Sequence, residues 1–186
     1  MNIQKAREEL LEVKSILDGM GLPFWLKEGT LLAAVRDRDF FPWDHDMDIA
    51  MKAADIPPDF GAHFPGYECT EARYRLGLVT NIVLKKTVRI DVMLLFHNPE
   101  LESYVILSPP YVWNLGRTMY PERWVDTPQY IEFLGESFRI PLHSECMLIS
   151  EYGPDWMKPV KSGLYWRKYW AFIEHVSDIT RGIEWK

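Results

Sequence analysis

Residues 41–49 of the chain read FPWDHDMDI, and this acidic stretch is the most informative part of the sequence. Asp44, Asp46 and Asp48 alternate with other residues at the two-residue period of a β-strand, which turns all three carboxylates to one face. Met47 and Ile49 then face the core. Carboxylates so close together repel one another unless a cation lies between them, and Mg²⁺ or Mn²⁺ suits an all-oxygen site. We expect Asp46 and Asp48 to bind the metal, with Asp44 at the strand's start as a supporting ligand.

A fourth acid, Asp91, lies inside an apolar segment, residues 88–96, that is rich in β-branched side chains. A buried carboxylate is costly without a partner. If this strand lies beside the first, Asp91 completes the cluster as a third metal ligand or as a base. The alternative is a solvated acidic turn with Asp91 in a salt bridge. A calcium loop is disfavoured, because Ile49 stands where that loop needs glycine and Asp55 where it needs glutamate.

A glycine turn precedes the acidic strand. Residues 24–27 predict a short strand and residues 31–36 a short helix, with Gly29 and Thr30 between them. Glycine allows close backbone approach to a ligand, and the first amides of a helix attract anions. We expect Gly29, Thr30 and Arg36 to contact a phosphate. The alternatives are a simple turn, a helix N-cap at Thr30 and an ion pair of Arg36 with a neighbouring aspartate.

The remaining segments predict one α+β domain over residues 1–186, with a core at about 1–100 and an α-rich or irregular part at about 101–186. A hairpin is expected from strands 78–85 and 88–96. Further strands are predicted at 104–107 and 137–140, and helices at 4–20, 144–152 and 165–176.

Composition restricts the classes of function. The net charge of −6 argues against a nucleic-acid-binding protein. The polar N-terminus and short apolar runs predict no signal peptide or transmembrane segment, and a soluble, cytoplasmic protein is expected. Cys69 and Cys146 are too few and too far apart for a structural zinc site, and we expect them to be free, buried thiols.

Two longer segments closely resemble the LicD/fukutin family of the nucleotidyltransferase-fold superfamily: FWLKEGTLLAAVR, residues 24–36, and the Pro-Trp-Asp-x-Asp-x-Asp core with Ile49 after it. Residues 89–92, 133–141 and 151–156 resemble later family segments. The resemblance implies a nucleotidyltransferase-like mixed sheet flanked by helices. By this similarity Asp46 and Asp48 bind metal, Asp91 is the third carboxylate, and Gly29 and Thr30 contact phosphate. Glu28 and Ala33 depart from the family, which usually has Gly or Ser at the first position and Gly at the second.

The resemblance implies transfer of a phospho-alcohol, such as phosphocholine or phosphoribitol, from a CDP-linked donor to a glycan or glycolipid hydroxyl. Two alternatives stay open. One is transfer of a nucleotidyl group from a nucleoside triphosphate to a small molecule or protein. The other is a nucleotide-binding module without turnover, which Glu28 favours because its charge would repel a phosphate.

Overall fold

The computed structural model describes residues 1–73, 77–108 and 116–159. Within these ranges, one mixed sheet contains seven strands: β1 Trp25–Leu26, β2 Asp46–Lys52, β3 Glu68–Arg73, β4 Val79–Lys85, β5 Arg89–Asn98, β6 Ser103–Ser108 and β7 Gly116–Pro121. The strands β1, β2, β5, β4 and β3 are successive neighbours, β6 pairs with β5, and β7 pairs with β6. The mixed α+β class expected from the sequence is confirmed.

One strand pair brings the acidic residues together. β2 runs parallel to β5, and the register pairs Asp48 with Asp91 and Asp46 with Arg89. Parallel neighbours need a crossover connection, and here it contains β3 and β4: β3 pairs antiparallel with β4, and β4 pairs antiparallel with β5. Met47 and Ile49 are fully buried on the other face of β2, as the alternation predicts.

Helix α1, Ile3–Gly19, packs on the sheet through Ala6, Leu10, Val13 and Leu17. It also carries a buried acid, Glu9, whose carboxylate accepts hydrogen bonds from the backbone amides of Thr87 and Val88 at 2.9–3.2 Å. Those amides lie in the β4–β5 turn, so Glu9 satisfies donors that the hairpin leaves unpaired.

The second helical segment begins earlier than the sequence predicts. Helix α2 is Glu28–Leu32 and continues as a π-helical turn at Ala33–Asp37, whereas residues 31–36 were the expected helix. Glu28 starts it with φ = 43°, a left-handed conformation that the periodicity of apolar residues does not reveal.

The described part of the C-terminal half contains more strands than expected. Besides β6 and β7 it holds helix α3, Glu122–Asp126, a separate hairpin of β8, Gln129–Phe133, and β9, Glu136–Ile140, and helix α4, Ser144–Tyr152. Edge-to-face contacts of Phe138 with Phe24 and of Phe133 with Phe40 join this hairpin to the N-terminal half. The helix predicted at 165–176 lies outside the described residues.

Both cysteines are free, as expected, but neither is fully buried: Cys69 is half-buried and Cys146 is exposed. Over the ranges that the structure describes, no helix is both long enough and apolar enough to cross a bilayer.

Candidate metal centre

Three carboxylates converge where β2 lies beside β5. Asp46, Asp48 and Asp91 each place an oxygen within 4.8 Å of the other two. Asp48 and Asp91 are buried, at 7% and 6% exposure, and Asp46 is half-buried. The parallel register produces this group, because alternate residues of neighbouring strands project from one face. The predicted convergence of Asp91 with the acidic strand is therefore present.

The group is electrostatically unfavourable without a cation. Burial, followed by repulsion from Glu28, Asp46, Asp91 and Asp44, raises the pKa of Asp48 well above its usual range. The pKa of Asp46 is raised for the same reasons, with burial the largest cause. Both shifts mean that the site favours proton or cation binding over a bare set of charges.

Asp91 is already paired with side chains of its own sheet. The Arg89 guanidinium donates from Nε to Oδ2 at 2.6 Å and from Nη2 to Oδ1 at 2.7 Å. Asn81 of β4 also donates to Oδ1, through Nδ2 at 2.7 Å. The amide oxygen of Asn81 is buried with no hydrogen-bond partner among the described residues, so an unused hard oxygen acceptor lies beside the acidic group.

Asp44 is close to the cluster without joining the group of three. Its amide donates to the Phe41 carbonyl and its carboxylate accepts from the His45 amide at 3.0 Å. The other carboxylate oxygen lies against Gly29: a Cβ at that glycine would be 2.8 Å from Asp44 Oδ2 and 3.5 Å from Asp48 Oδ2. Glycine is therefore required at position 29, because two carboxylate oxygens lie too close to its backbone for a larger residue.

Thr30 fastens helix α2 to the acidic strand. Its hydroxyl is buried and accepts a hydrogen bond from the Asp48 amide at 2.8 Å. The N-cap of α2 is Lys27, with no side-chain cap hydrogen bond, so the expected alternative of an N-cap at Thr30 is wrong. The Thr30 side chain instead fixes the backbone that carries a metal-binding candidate.

Arg36 has other partners than the acidic cluster. Its guanidinium pairs with Asp37 at 2.6 Å, donates to the Trp156 carbonyl at 2.9 Å and stacks 4.9 Å from the centre of the Phe41 ring. These contacts match the alternative in which Arg36 forms an ion pair with a neighbouring aspartate instead of binding a phosphate.

Lys27 and Glu151 form a buried ion pair next to Glu28. Lys27 is 2% exposed and pairs with Glu151 of α4, which also accepts from the Tyr120 hydroxyl at 3.0 Å. Burial opposes the charge of Lys27, yet Glu151, Tyr120 and Glu28 together raise its pKa. Lys27 Nζ is 3.9 Å from Glu28. Burial, partly offset by Lys27, raises the pKa of Glu28 to about 7, and Glu151, Asp46 and Asp91 add to the increase.

Sequence reasoning missed four of these groups: Arg89, Asn81, Lys27 and Glu151. Arg89 had a signal, because it lies two residues before Asp91 on the same strand face. The others had none, since only the strand register and the docking of α4 bring them to the site.

The residues present fit a hard divalent cation. All the convergent donors are oxygens, two of the three carboxylates are buried, and the orphan amide oxygen of Asn81 can accept from a metal-bound water. Asp46, Asp48 and Asp91 are the residues that would hold it.

Comparison with known sequences agrees with this geometry. The family described as LicD/FKTN/FKRP, nucleotidyltransferase domain, matches residues 21–146, which include every acid of the cluster. The chain belongs to this family. This LicD-family chain is 29% identical over 144 residues to the mouse (Mus musculus) ribitol 5-phosphate transferase FKRP, covering 75% of this chain and 26% of that protein. It is 23% identical over 174 residues to the human (Homo sapiens) ribitol-5-phosphate transferase FKTN, covering 86% and 35%.

This LicD chain therefore spans between a quarter and about a third of the length of those relatives. Its fold is nucleotidyltransferase-like. It is similar to the lincosamide antibiotic adenylyltransferase LnuA in its lincomycin-bound crystal structure, with a TM-score of 0.51 and 15% identity over 76% of this chain and 83% of that one. A second neighbour is ANT(2")-Ia in complex with adenylyl-2"-tobramycin, with a TM-score of 0.50, 15% identity and coverage of 88% and 86%.

Proposed function

We propose that the protein is a metal-dependent transferase that moves a phospho-alcohol, of the phosphoribitol or phosphocholine kind, from a CDP-linked donor to a hydroxyl of a glycan or glycolipid. The observation that carries the proposal is the group of Asp46, Asp48 and Asp91 on one sheet face of a LicD-family domain. The names of the FKRP and FKTN relatives support the phospho-alcohol class and favour ribitol phosphate.

The protein's own residues would bind and orient the donor. Mg²⁺ or Mn²⁺ bound at Asp46 and Asp48 would neutralise diphosphate charge during displacement at phosphorus. Thr30 holds the Asp48 backbone in place, and Gly29 leaves room for the carboxylates. Asp91 is fixed by two donors, Arg89 and Asn81, so its carboxylate is oriented before any ligand arrives.

The acceptor hydroxyl must lose a proton as the new ester bond forms. Glu28 is suited to take it, because burial raises the pKa of its carboxyl above the usual range and makes it a stronger base than an exposed glutamate. Its side chain is next to the cluster and keeps 21% of its surface exposed, so solvent reaches it.

The test is a product assay with each donor class. CDP-ribitol, CDP-choline, CTP and ATP are each incubated with the protein, Mg²⁺ or Mn²⁺ and glycan acceptors. Release of CMP from a CDP-alcohol supports the proposal. Release of pyrophosphate from CTP or ATP contradicts the proposal and supports the nucleotidyl-transfer alternative. The triphosphates are included because the two structural neighbours are named as nucleotidyl-transfer proteins or their products. Metal-dependent binding with neither product contradicts both.

A further inference from the structure

Arg89 is placed to do more than balance the charge of Asp91. The two residues occupy alternate positions of β5 and share one sheet face, and the guanidinium grips both carboxylate oxygens at 2.6 and 2.7 Å. Asp91 is 8% exposed in its side chain, whereas Arg89 is 44% exposed. The cation of this pair therefore reaches the surface of the site while the anion lies at its floor.

A divalent cation and Arg89 compete for the same carboxylate. The three acidic groups bring oxygens within 4.8 Å of one another, and Asp91 is the member whose two oxygens already accept from a guanidinium. A metal ion bound to Asp91 weakens the attraction of that carboxylate for the guanidinium and repels the guanidinium at such short range. Asn81 keeps its own hydrogen bond to Asp91 Oδ1 at 2.7 Å, so the carboxylate stays oriented after the guanidinium withdraws.

A diphosphate that enters this acidic site would bind more tightly if a positive side chain, together with the metal, offset its charge. Of the cations described around the cluster, the Lys27 side chain is 3% exposed and paired with Glu151, and the Arg36 side chain is 8% exposed and paired with Asp37. Arg89 combines surface exposure with a forked donor that matches phosphate oxygens. Its Cα partner across the parallel ladder is Asp46, so it stands directly beside the metal-binding strand.

We propose that Arg89 is an exchangeable counter-ion. In the metal-free site it neutralises Asp91, and when a divalent cation takes Asp91 it moves to the diphosphate of the bound nucleotide. This role rests on the proposed function for the identity of the nucleotide, but its test needs only Mn²⁺ and CDP and no turnover.

The exchange predicts effects of opposite sign in one variant. Arg89→Gln removes the competitor, so Mn²⁺ alone should bind about fivefold to tenfold more tightly than to the unchanged protein. The same variant lacks the phosphate donor, so CDP at saturating Mn²⁺ should bind at least about tenfold more weakly. Arg89→Lys should fall between the two proteins in both titrations, because lysine keeps the charge and loses the fork.

Arg73→Gln is the matched control, because Arg73 pairs with Glu71, an acid two residues away on its own strand as Asp91 is from Arg89, and its side chain is 57% exposed. It should leave both affinities unchanged. Affinities in Arg89→Gln that both fall, or that both stay unchanged, overturn the exchange. Tighter Mn²⁺ with undiminished CDP binding overturns the phosphate contact. The donor assay is a separate test. If Arg89→Gln binds Mn²⁺ more tightly and CDP more weakly but the unchanged protein releases no CMP, the proposed function is refuted and the exchange is supported.

Discussion

At the scale of single residues, Asp46 and Asp48 of β2 and Asp44 just before it are not equivalent. Asp48 is buried within the group, Asp46 is half-buried within it, and Asp44 lies outside it against Gly29. Asp46→Asn or Asp48→Asn should each abolish metal-dependent nucleotide binding, because each removes a charged ligand from a set of three. Asp44→Asn should weaken it less. Calorimetric titration of CDP with and without Mn²⁺ measures this, and circular dichroism checks that each variant folds. Equal damage from Asp44→Asn and Asp48→Asn would contradict the ranking.

Gly29 is defined by the carboxylates that crowd it. A methyl group there would lie 2.8 Å from Asp44 Oδ2, closer than van der Waals contact allows. Gly29→Ala should therefore reduce Mn²⁺ affinity by displacing Asp44 and, through it, Asp48. The double variant Gly29→Ala, Asp44→Ala removes the clashing oxygen and should bind Mn²⁺ more tightly than Gly29→Ala alone. No recovery in the double variant would show that the crowding is not the cause.

Glu28 makes the stability of the protein depend on pH. Its pKa in the folded protein is raised to about 7 from an ordinary value of 4.5. The stability that protonated Glu28 contributes to the folded protein is therefore complete below about pH 4.5 and is lost as the pH rises through about 7. Glu28→Gln cannot ionise, so its free energy of unfolding relative to the unchanged protein should be higher at about pH 8 than at about pH 5, by roughly 1–3 kcal/mol.

Urea denaturation with a chelator present, at both pH values, measures that difference. Glu100→Gln, which changes an exposed acid in the turn that follows β5, serves as the control. A difference between Glu28→Gln and the unchanged protein that is the same at both pH values would refute the assignment.

At the scale of elements, α1 and the β4–β5 turn are joined by one carboxylate. Glu9 is 3% exposed and accepts from the amides of Thr87 and Val88. Glu9→Gln replaces one acceptor oxygen by a donor that faces backbone N–H groups, so the protein should lose about 1–3 kcal/mol of stability. Glu8→Gln, which alters an exposed ion pair with Lys5, should change it by less than about 0.5 kcal/mol. Urea denaturation of both variants compares them, and equal losses would contradict the role of Glu9.

Elements with strong hydrophobic periodicity could be predicted from the sequence, and polar ones could not. β2, β4 and β5 alternate or run apolar, and α1 has a regular apolar stripe, so their existence and approximate bounds follow. β3 and β8 have mostly exposed side chains, Glu68–Arg73 and Gln129–Phe133, and lack that signal. The same limit applies to the site. The β2 acids were readable as a strand face, but the contacts of Asn81 and Glu151 depend on register and docking over long sequence distances.

At the scale of the whole molecule, a buried salt bridge joins an N-terminal residue range to a C-terminal helix of the described chain. Lys27 follows β1 and Glu151 lies in α4, and the two form a salt bridge with side chains 3% and 14% exposed. Lys27→Met leaves the Glu151 carboxylate buried without its cation, which should cost about 3–5 kcal/mol. The double variant Lys27→Met, Glu151→Leu removes both charges and should recover most of that loss. Urea denaturation measures the stabilities, and a double variant less stable than Lys27→Met would disprove the account.

The parallel register of β2 and β5 also has a kinetic consequence. A slip of β5 by one residue would turn Asp91 to the opposite face and replace it with Ile90 or Val92. Such a pairing joins residues far apart in sequence across a long crossover, so it is expected to form more slowly than the local hairpins. Because a cation finds its full set of oxygen ligands only in the native alignment, Mg²⁺ present during refolding would stabilise that alignment over the slipped ones. The ion would then act as a selector of strand register before it acts on any substrate.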